Sequence, residues 1–471
     1  MEYNEITQLV NRKSFDSKMN RAFLESFEYL YSFESIKRKE INRYLPWPVE
    51  TFTILSIMSD DLKDDSLTGK EMKEILDCIF QESQMVEDNV VELLNGVAYQ
   101  QLEAQRHIDI EIYRAKYLYN FVSDEIDMRK VFTNKMGFDF TELFSYFNEL
   151  LMYYHLMKEV RVDTEKQINE LLMIEKRYIT DKFCITREEY KKYINAFCNG
   201  DESKYHYCIR PSFTYPFISH EEITYLPLPH LILRAMTSSI LYRLTFGDDK
   251  LNRLIGKNLL ERYVYSLFCE TEIYERVLDE QKFNYYKEKN QKSSDCLVFF
   301  DKNILFCEVK FLRPSNEVRL LNKKEKENMV QIIADGLNQL YKQMTKKYEH
   351  YSFLDENHKN ISKDDRYGVL ILYEDFYINR EAIYSKLFEA IDVKEDQDWI
   401  KRNIRIVDLY YVECMCINKN NIISHLKSLK EDAGHIEHIQ SEGPSGKGTI
   451  DSYNKVINER KKDIDRIAKK F

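Results

Sequence analysis

The chain has 471 residues, of which 44% are hydrophobic and 31% charged, as expected for a folded protein of two or three domains. Its net charge of −10 argues against a protein that coats nucleic acid through bulk positive charge, but is compatible with a local basic groove or a carboxylate-rich metal site. The sequence has no signal peptide and no apolar window of about 18 residues, which predicts a cytoplasmic protein without a membrane partner.

Residues 1–210 read as a large all-α domain, because apolar side chains recur at steps of three and four in segments such as ELFSYFNELLMYYHLMKEV. The chain contains 34 Tyr and 27 Phe but only 12 Gly and 8 Pro, a balance that favours long helices packed through aromatic side chains. A domain of this kind could select the substrate, bind a partner protein or form a homo-oligomer. Four prolines within residues 211–229 then predict a connection between domains.

Residues 230–430 predict an α/β domain. The expected order is a helix over 251–273, a short strand around Phe283 to Tyr286, the strands DCLVFF and NILFCEVKF, a long helix, the strand YGVLILYED and another helix. The final apolar run IRIVDLYYVECMCI, which contains Cys414 and Cys416, is interpreted as a strand. This alternation indicates a central mixed sheet flanked by helices, so that the whole chain is of the α+β multidomain class.

The C-terminal part holds two further segments. Residues 431–450 contain four of the twelve glycines and are interpreted as a flexible linker, in which the phosphate-loop-like GPSGKGT lacks the required spacing. Residues 451–471 predict a basic helix. The nine cysteines lack zinc-site spacing and are interpreted as reduced buried thiols.

Three ionisable residues stand in an otherwise apolar hairpin: Asp295 opens its first strand, and Glu308 and Lys310 end its second. Alternate residues of a strand share a face, so Glu308 and Lys310 point the same way. Counting back from the turn at residues 301–302 places Asp295 opposite Glu308. Buried charges need compensation, which a divalent cation held by the two carboxylates would supply. The alternative is a structural ion pair between Asp295 and Lys310.

The hairpin and its flanking helices resemble the PD-(D/E)XK nuclease superfamily, which has the restriction-endonuclease-like fold, over about residues 250–417. The resemblance is carried by Asp295, by Glu308-Val-Lys310, by Glu261 in the preceding helix and by Gln339 in the following helix. Ser294 stands where the family pattern has proline.

The resemblance implies roles for these residues. Asp295, Glu308 and the carbonyl of Val309 would hold Mg²⁺ or Mn²⁺, the hard cations that oxygen ligands prefer. Lys310 would position or deprotonate the attacking water, and Glu261 would support a second metal ion or its water shell. Gln339, or less directly Gln331, would steady the site.

The function implied is that of a Mg²⁺-dependent nuclease, an endonuclease or an exonuclease, that hydrolyses phosphodiester bonds of DNA, as in prokaryotic restriction or anti-phage defence. Two alternatives stay open: an RNase with the same site, and a catalytically silent nucleic-acid-binding or scaffold protein with the same fold. Basic residues after the hairpin are candidates for contacts with the phosphate backbone, against the alternative of a solvated surface. They are Arg313, Arg319, Lys323, Lys324 and Lys326.

Overall fold

The fold was analysed in a computed structural model. It describes residues 3–27, 46–62, 65–82, 106–160, 176–208, 211–280, 294–320, 322–348, 351, 354, 356–390, 396–428 and 448–469. The predicted strand at Phe283 to Tyr286 and nearly all of the predicted linker at 431–450 lie outside these residues.

Helices dominate the chain up to residue 245. In order they are α1 (Tyr3–Asn11), α2 (Phe15–Phe27), α3 (Trp47–Met58), α4 (Gly69–Glu82), α5 (Ile108–Asn120), α6 (Met128–Met136), α7 (Phe140–Val160), α8 (Arg177–Lys182), α9 (Arg187–Cys198), α10 (Ile232–Met236) and α11 (Ser238–Thr245).

The first part of the chain is not all-α, because it contributes to a three-stranded sheet. This sheet pairs β1 (Cys184–Thr186) parallel to β2 (Phe217–His220), which pairs antiparallel with β3 (Ile223–Tyr225). The proline-rich segment 211–229 is therefore a structured hairpin and not a bare connection. Its prolines flank the two strands without interrupting them, as strand pairing requires.

The second part contains a five-stranded mixed sheet, as expected, in the order β4 (Arg276–Asp279), β5 (Cys296–Phe300), β6 (Asn303–Lys310), β7 (Arg366–Leu372) and β8 (Ile404–Asp408). Strands β4 to β6 are antiparallel, and β6 to β8 are parallel. The helices of this part are α12 (Asp249–Leu254), α13 (Glu261–Thr271), α14 (Asn316–Arg319), α15 (Lys323–Lys342), α16 (Glu356–Lys359), α17 (Arg380–Ala390), α18 (Gln397–Asn403), α19 (Leu409–Ile417), α20 (Ile422–Ser428) and α21 (Asp451–Ala468).

The predicted strand over 404–417 is wrong beyond Asp408. The carboxylate of Asp408 accepts a 2.9 Å hydrogen bond from the backbone N–H of Tyr411 and so caps the start of α19. Almost every residue of α19 is buried, Cys414 and Cys416 among them. A helix without a polar face has no helical periodicity in its sequence, which is why the run resembles a strand.

One hydrophobic core joins α5 to α7 with a face of the five-stranded sheet, through residues such as Phe147, Tyr263 and Val369. A separate core is formed by α1 to α4 together with α9 and the three-stranded sheet. The cores thus do not divide at residue 210, where the sequence predicts a domain boundary. The C-terminal α21 also packs onto this assembly, because Arg460 forms a 2.6 Å ion pair with Asp109 of α5.

A buried ion pair connects the same helices to the sheet domain. Arg114 of α5 donates to both carboxylate oxygens of Glu413 on α19, at 2.7 and 2.5 Å. The hydroxyl of Tyr263 on α13 donates to Glu413 at 2.7 Å. All three side chains are essentially inaccessible to solvent, so the cluster fixes α13, which carries Glu261, against α5 and α19.

Candidate metal centre and basic surface

The hairpin of β5 and β6 has the register that the sequence predicts. Cys296 pairs with Cys307, so the next pair outward is Asp295 with Glu308. The Oδ2 atom of Asp295 accepts a 2.7 Å hydrogen bond from the backbone N–H of Val309. The carboxylate of Asp295 is therefore held at the end of β6.

A third acidic residue extends this row to the neighbouring strand. Asp279 of β4 pairs with Cys296, and the backbone N–H of the next residue, Glu280, donates to the carbonyl of Asp295 at 3.2 Å. Glu280, Asp295 and Glu308 thus occupy adjacent positions across three antiparallel strands. Sequence reasoning missed Glu280 because it placed the strand at Phe283 to Tyr286, although the signal, an acid that directly follows the strand RVLD, was available.

Glu261 reaches the same place from α13. A π-helical segment, Ile255–Leu260, precedes it and continues α12 without a break. In this segment a Cβ added at Gly256 would lie 3.4 Å from Cβ of Phe311, so the helix passes close to the chain that leaves β6. This π-helical turn lies directly before Glu261. Turns of this kind are frequent at functional sites.

These residues line one cavity of about 190 Å³, together with a basic residue that sequence reasoning missed, Lys257. Carboxylate oxygens of Glu261, Glu280 and Asp295 lie within 4.8 Å of one another. All the predicted catalytic and metal-ligating residues contribute to the lining. The lining residues are Lys257, Glu261, Glu280, Asp295, Glu308, Val309, Lys310 and Gln339.

Glu308 is buried and held by donors on two elements. Its Oε1 atom accepts from Nζ of Lys310 at 2.7 Å and from Nε2 of Gln339 at 2.6 Å. Its Oε2 atom accepts from Nε2 of Gln343 at 3.4 Å, and Ser294 donates to Gln343 at 2.6 Å. The ion pair is therefore Lys310 with Glu308, and not the alternative pair of Asp295 with Lys310.

The two glutamines come close because the end of α15 lies tight against β7. A Cβ added at Gly368 would lie 2.6 Å from Sδ of Met344, so this glycine permits the approach. Ser294 orients Gln343 through its hydrogen bond to the amide oxygen. The predicted alternative, Gln331, lies outside the site: it is exposed and donates to Asp335 at 2.9 Å.

The carboxylates of the cavity repel one another electrostatically. Burial, together with Asp295, Glu280 and Glu308, raises the pKa of Glu261 to about 9. Burial and Glu308 raise the pKa of Asp295 well above its ordinary range, and burial also raises that of Glu308. Burial opposes the charge on Lys310, but the Glu308 carboxylate prevails and raises the lysine pKa. A buried cluster with this excess of acids favours a bound cation, which would stabilise the ionised forms.

The predicted phosphate-binding residues divide into two groups. Arg319 is 5% exposed and pairs with Glu374 at 3.5 Å, so it is removed from the candidate surface. Arg313 is half-buried, stacks on Tyr242 at 4.2 Å and donates to Thr245 at 2.8 Å. The second group stays accessible on the first turn of α15, where Lys323 and Lys324 are exposed and Lys326 is half-buried.

Comparisons of the chain with protein-family models, with curated proteins and with solved structures found no match. In the described part of the chain, every helix falls short of the length and apolarity that a membrane crossing requires. The function therefore has to be inferred from the chemistry of the cavity and of the exposed lysines at the start of α15.

Proposed function

We propose that the protein is a Mg²⁺-dependent nuclease that hydrolyses phosphodiester bonds of DNA. The observation that carries this proposal is the convergence, in one cavity, of a lysine with acids from three strands and a helix: Lys310 with Glu280, Asp295, Glu308 and Glu261. Structural ion pairs would need one acid for each lysine, whereas this cavity has four acids for two lysines, Lys310 and Lys257.

The donor set fits a hard divalent cation. Every side-chain ligand available in the group of Glu261, Glu280 and Asp295 is a carboxylate oxygen, as Mg²⁺ and Mn²⁺ prefer. Cys296 and Cys307 point to the opposite face of the hairpin from their acidic neighbours and lie in the core. When bound, Mg²⁺ would neutralise the phosphate in the transition state and lower the pKa of a coordinated water.

The remaining residues would orient the reactants. Lys310 is half-buried, so its ammonium group combines a fixed position beside Glu308 with access to the cavity. There it can attract the scissile phosphate and hold the attacking water in place. Gln339 of α15 and Gln343, which directly follows α15, hold Glu308 and leave its carboxylate little freedom to rotate.

The exposed lysines of α15 would attract the polyanion. Lys323 and Lys324 come after α14, the helix that follows β6. They begin the helix that also carries Gln339. Their contribution would be independent of sequence and weakened by salt. A local positive surface of this kind is compatible with the negative net charge of the chain.

The test is cleavage of supercoiled plasmid, linear duplex, single-stranded DNA and RNA in Mg²⁺, with calorimetric titration of Mg²⁺ in parallel. We expect wild type to bind Mg²⁺ and cleave DNA, and Asp295→Asn to lose both. Asp301→Asn, which changes an exposed acid in the hairpin turn, is the matched control and should behave as wild type. Mg²⁺ binding that is equal in wild type and Asp295→Asn would refute the metal centre. Cleavage restricted to RNA would instead assign the protein as an RNase.

A further inference from the structure

A second cavity, which the nuclease proposal leaves unused, has a volume of about 820 Å³, within the range of about 300–1,000 Å³ found for small-molecule sites. Its walls come from α9, α11, the loop before β2 and the segment after β6. Four half-buried aromatic rings face it, from Tyr193, Phe197, Phe213 and Tyr215. A fifth ring, that of Phe246, is 90% exposed.

The cavity also contains a half-buried cation, Arg243, without an acidic partner in the described part of the chain. Arg243 stacks on the rings of Phe183 and Tyr215, at 4.8 and 5.1 Å from the ring centres. Within the described ranges no carboxylate pairs with Arg243, and its Nη1 atom is buried without a hydrogen-bond acceptor. Burial lowers its pKa, and only Tyr215 opposes this effect. A buried N–H group without an acceptor costs free energy, which an anionic ligand at Nη1 would offset.

Two other arginines of the lining are already paired with carboxylates of the protein. Arg319 pairs with Glu374 at 3.5 Å, and the hydroxyl of Tyr242 donates to the same carboxylate at 2.6 Å. Arg106 pairs with Asp408 at 2.9 Å. The lining also contains Glu111, Glu189 and Glu317, the last two of them exposed, so the position that calls for an anion is the local one at Nη1 of Arg243.

We propose that this cavity binds a nucleotide, with the base between the aromatic rings and the phosphate at Arg243. Guanidinium groups pair with phosphate through two parallel hydrogen bonds. Aromatic side chains stack on any base, because every base has a π-face. A planar ring joined to an anion is the ligand that satisfies both features of the lining at once. The proposal does not depend on the chemistry of the acidic cavity.

The cavity wall is continuous with the strand that carries Lys310. Tyr373 donates its backbone N–H to the carbonyl of Lys310 at 3.0 Å, and the N–H of Glu374, a lining residue, donates to Leu312 at 3.4 Å. Arg313 stacks on Tyr242, another lining residue. The nucleotide has two conceivable sources: a free mononucleotide, or a nucleotide turned out of a bound polynucleotide.

Binding is tested first with free ligands, without divalent metal, by titrating the full chain with each deoxynucleoside 5′-monophosphate, the parent nucleosides and inorganic phosphate. We expect saturable binding of at least one nucleotide, weaker for the nucleoside and for phosphate alone. Arg243→Gln should weaken it at least tenfold. Arg253→Gln, an exposed arginine outside the lining, is the matched control. Phe246→Ser changes an exposed lining residue and provides a second test should Arg243→Gln not fold.

A duplex that contains one 2-aminopurine distinguishes the two sources, because this base becomes fluorescent when it leaves the stack. A gain in fluorescence that Arg243→Gln abolishes would identify a nucleotide of the polynucleotide as the ligand. Binding of free nucleotides without that gain would identify a free ligand. Neither signal, or signals unchanged in both lining variants, would overturn the proposal. Loss of Mg²⁺ binding or of cleavage would leave these readouts intact.

Discussion

Gln339 of α15 donates a 2.6 Å hydrogen bond to Oε1 of Glu308 on β6. This bond crosses from a helix to a strand and fixes a buried carboxylate beside Lys310. We expect Gln339→Ala to reduce cleavage about tenfold to hundredfold, the usual effect of removing a residue that orients a metal-site ligand. Gln331→Ala changes an exposed glutamine of the same helix and should leave the rate unchanged. Equal rates for both variants would exclude Gln339 from the site.

Lys310→Met should abolish most cleavage while it preserves Mg²⁺ binding, because the lysine is not a ligand. The expected loss is about 10²- to 10⁴-fold, typical for a group that assists proton transfer. Lys302→Met, in the exposed turn of the same hairpin, is the control. Plasmid cleavage and calorimetry provide the two measurements. Undiminished cleavage by Lys310→Met would point to a contaminating nuclease.

The lysines of α15 predict a salt-dependent contribution to DNA binding. Replacing Lys323 and Lys324 with glutamine should reduce the slope of log affinity against log salt by about two. The same change at Lys461 and Lys462, two exposed lysines of α21, is the matched control. Fluorescence anisotropy with a labelled duplex in Ca²⁺ measures both. Slopes that fall equally would show that the attraction is a property of the whole surface.

The raised pKa of Glu261 predicts how stability depends on pH. Between its ordinary value of 4.5 and about 9, the folded metal-free protein holds a proton that the unfolded chain has released. The free energy of unfolding therefore falls as pH rises through this window. Glu261→Gln should flatten that decline and, near pH 8, raise the free energy of unfolding by on the order of 1 kcal/mol. Urea titrations across the window measure it.

Glu272→Gln, an exposed acid directly after α13, serves as control for the pH experiment and should follow wild type. An identical pH profile for Glu261→Gln and wild type would show that Glu261 is ionised in the folded protein.

The buried pair of Arg114 and Glu413 predicts a large loss of stability when one partner is removed. Arg114→Met should lower the free energy of unfolding by about 3–5 kcal/mol, because Glu413 would remain as a buried uncompensated charge. Adding Glu413→Gln, which keeps an acceptor for Tyr263, should recover most of the loss. Denaturant unfolding of the single and double variants is the measurement. A double variant as unstable as the single one would contradict this interpretation.

The central part of the site could be predicted because strand geometry is simple. A short turn and the two-residue period fix which residues of β5 and β6 face each other, so Asp295, Glu308 and Lys310 were placed together correctly. Helical positions were harder to choose. Gln343 lies one turn after Gln339 and shares its face, whereas Gln331 lies about 80° away around the helix axis. Sequence alone could not show which face of α15 meets the sheet.

Other features depend on contacts that leave no local signal. The helix α19 is buried on all sides, so its sequence has the uniform apolarity of a buried strand. In the turn between β2 and β3, Glu221 and Glu222 adopt φ values of 47° and 65°. Such turns are usually predicted from glycine or asparagine, and neither is present here. The docking of α21 onto α5 is determined by side chains more than 300 positions away, such as Asp109 with Arg460.

The turn between β5 and β6 has only two residues, and Asp301 adopts a φ of 53° within it. One inserted residue there would shift the pairing by a single position and rotate Asp295 out of the cavity, exchanging it for Cys296. Such a chain would retain every acid and the lysine in its sequence and yet be inert. The length of this turn therefore determines whether the proposed metal centre can form. A sequence search that scores only the charged residues would not detect its loss.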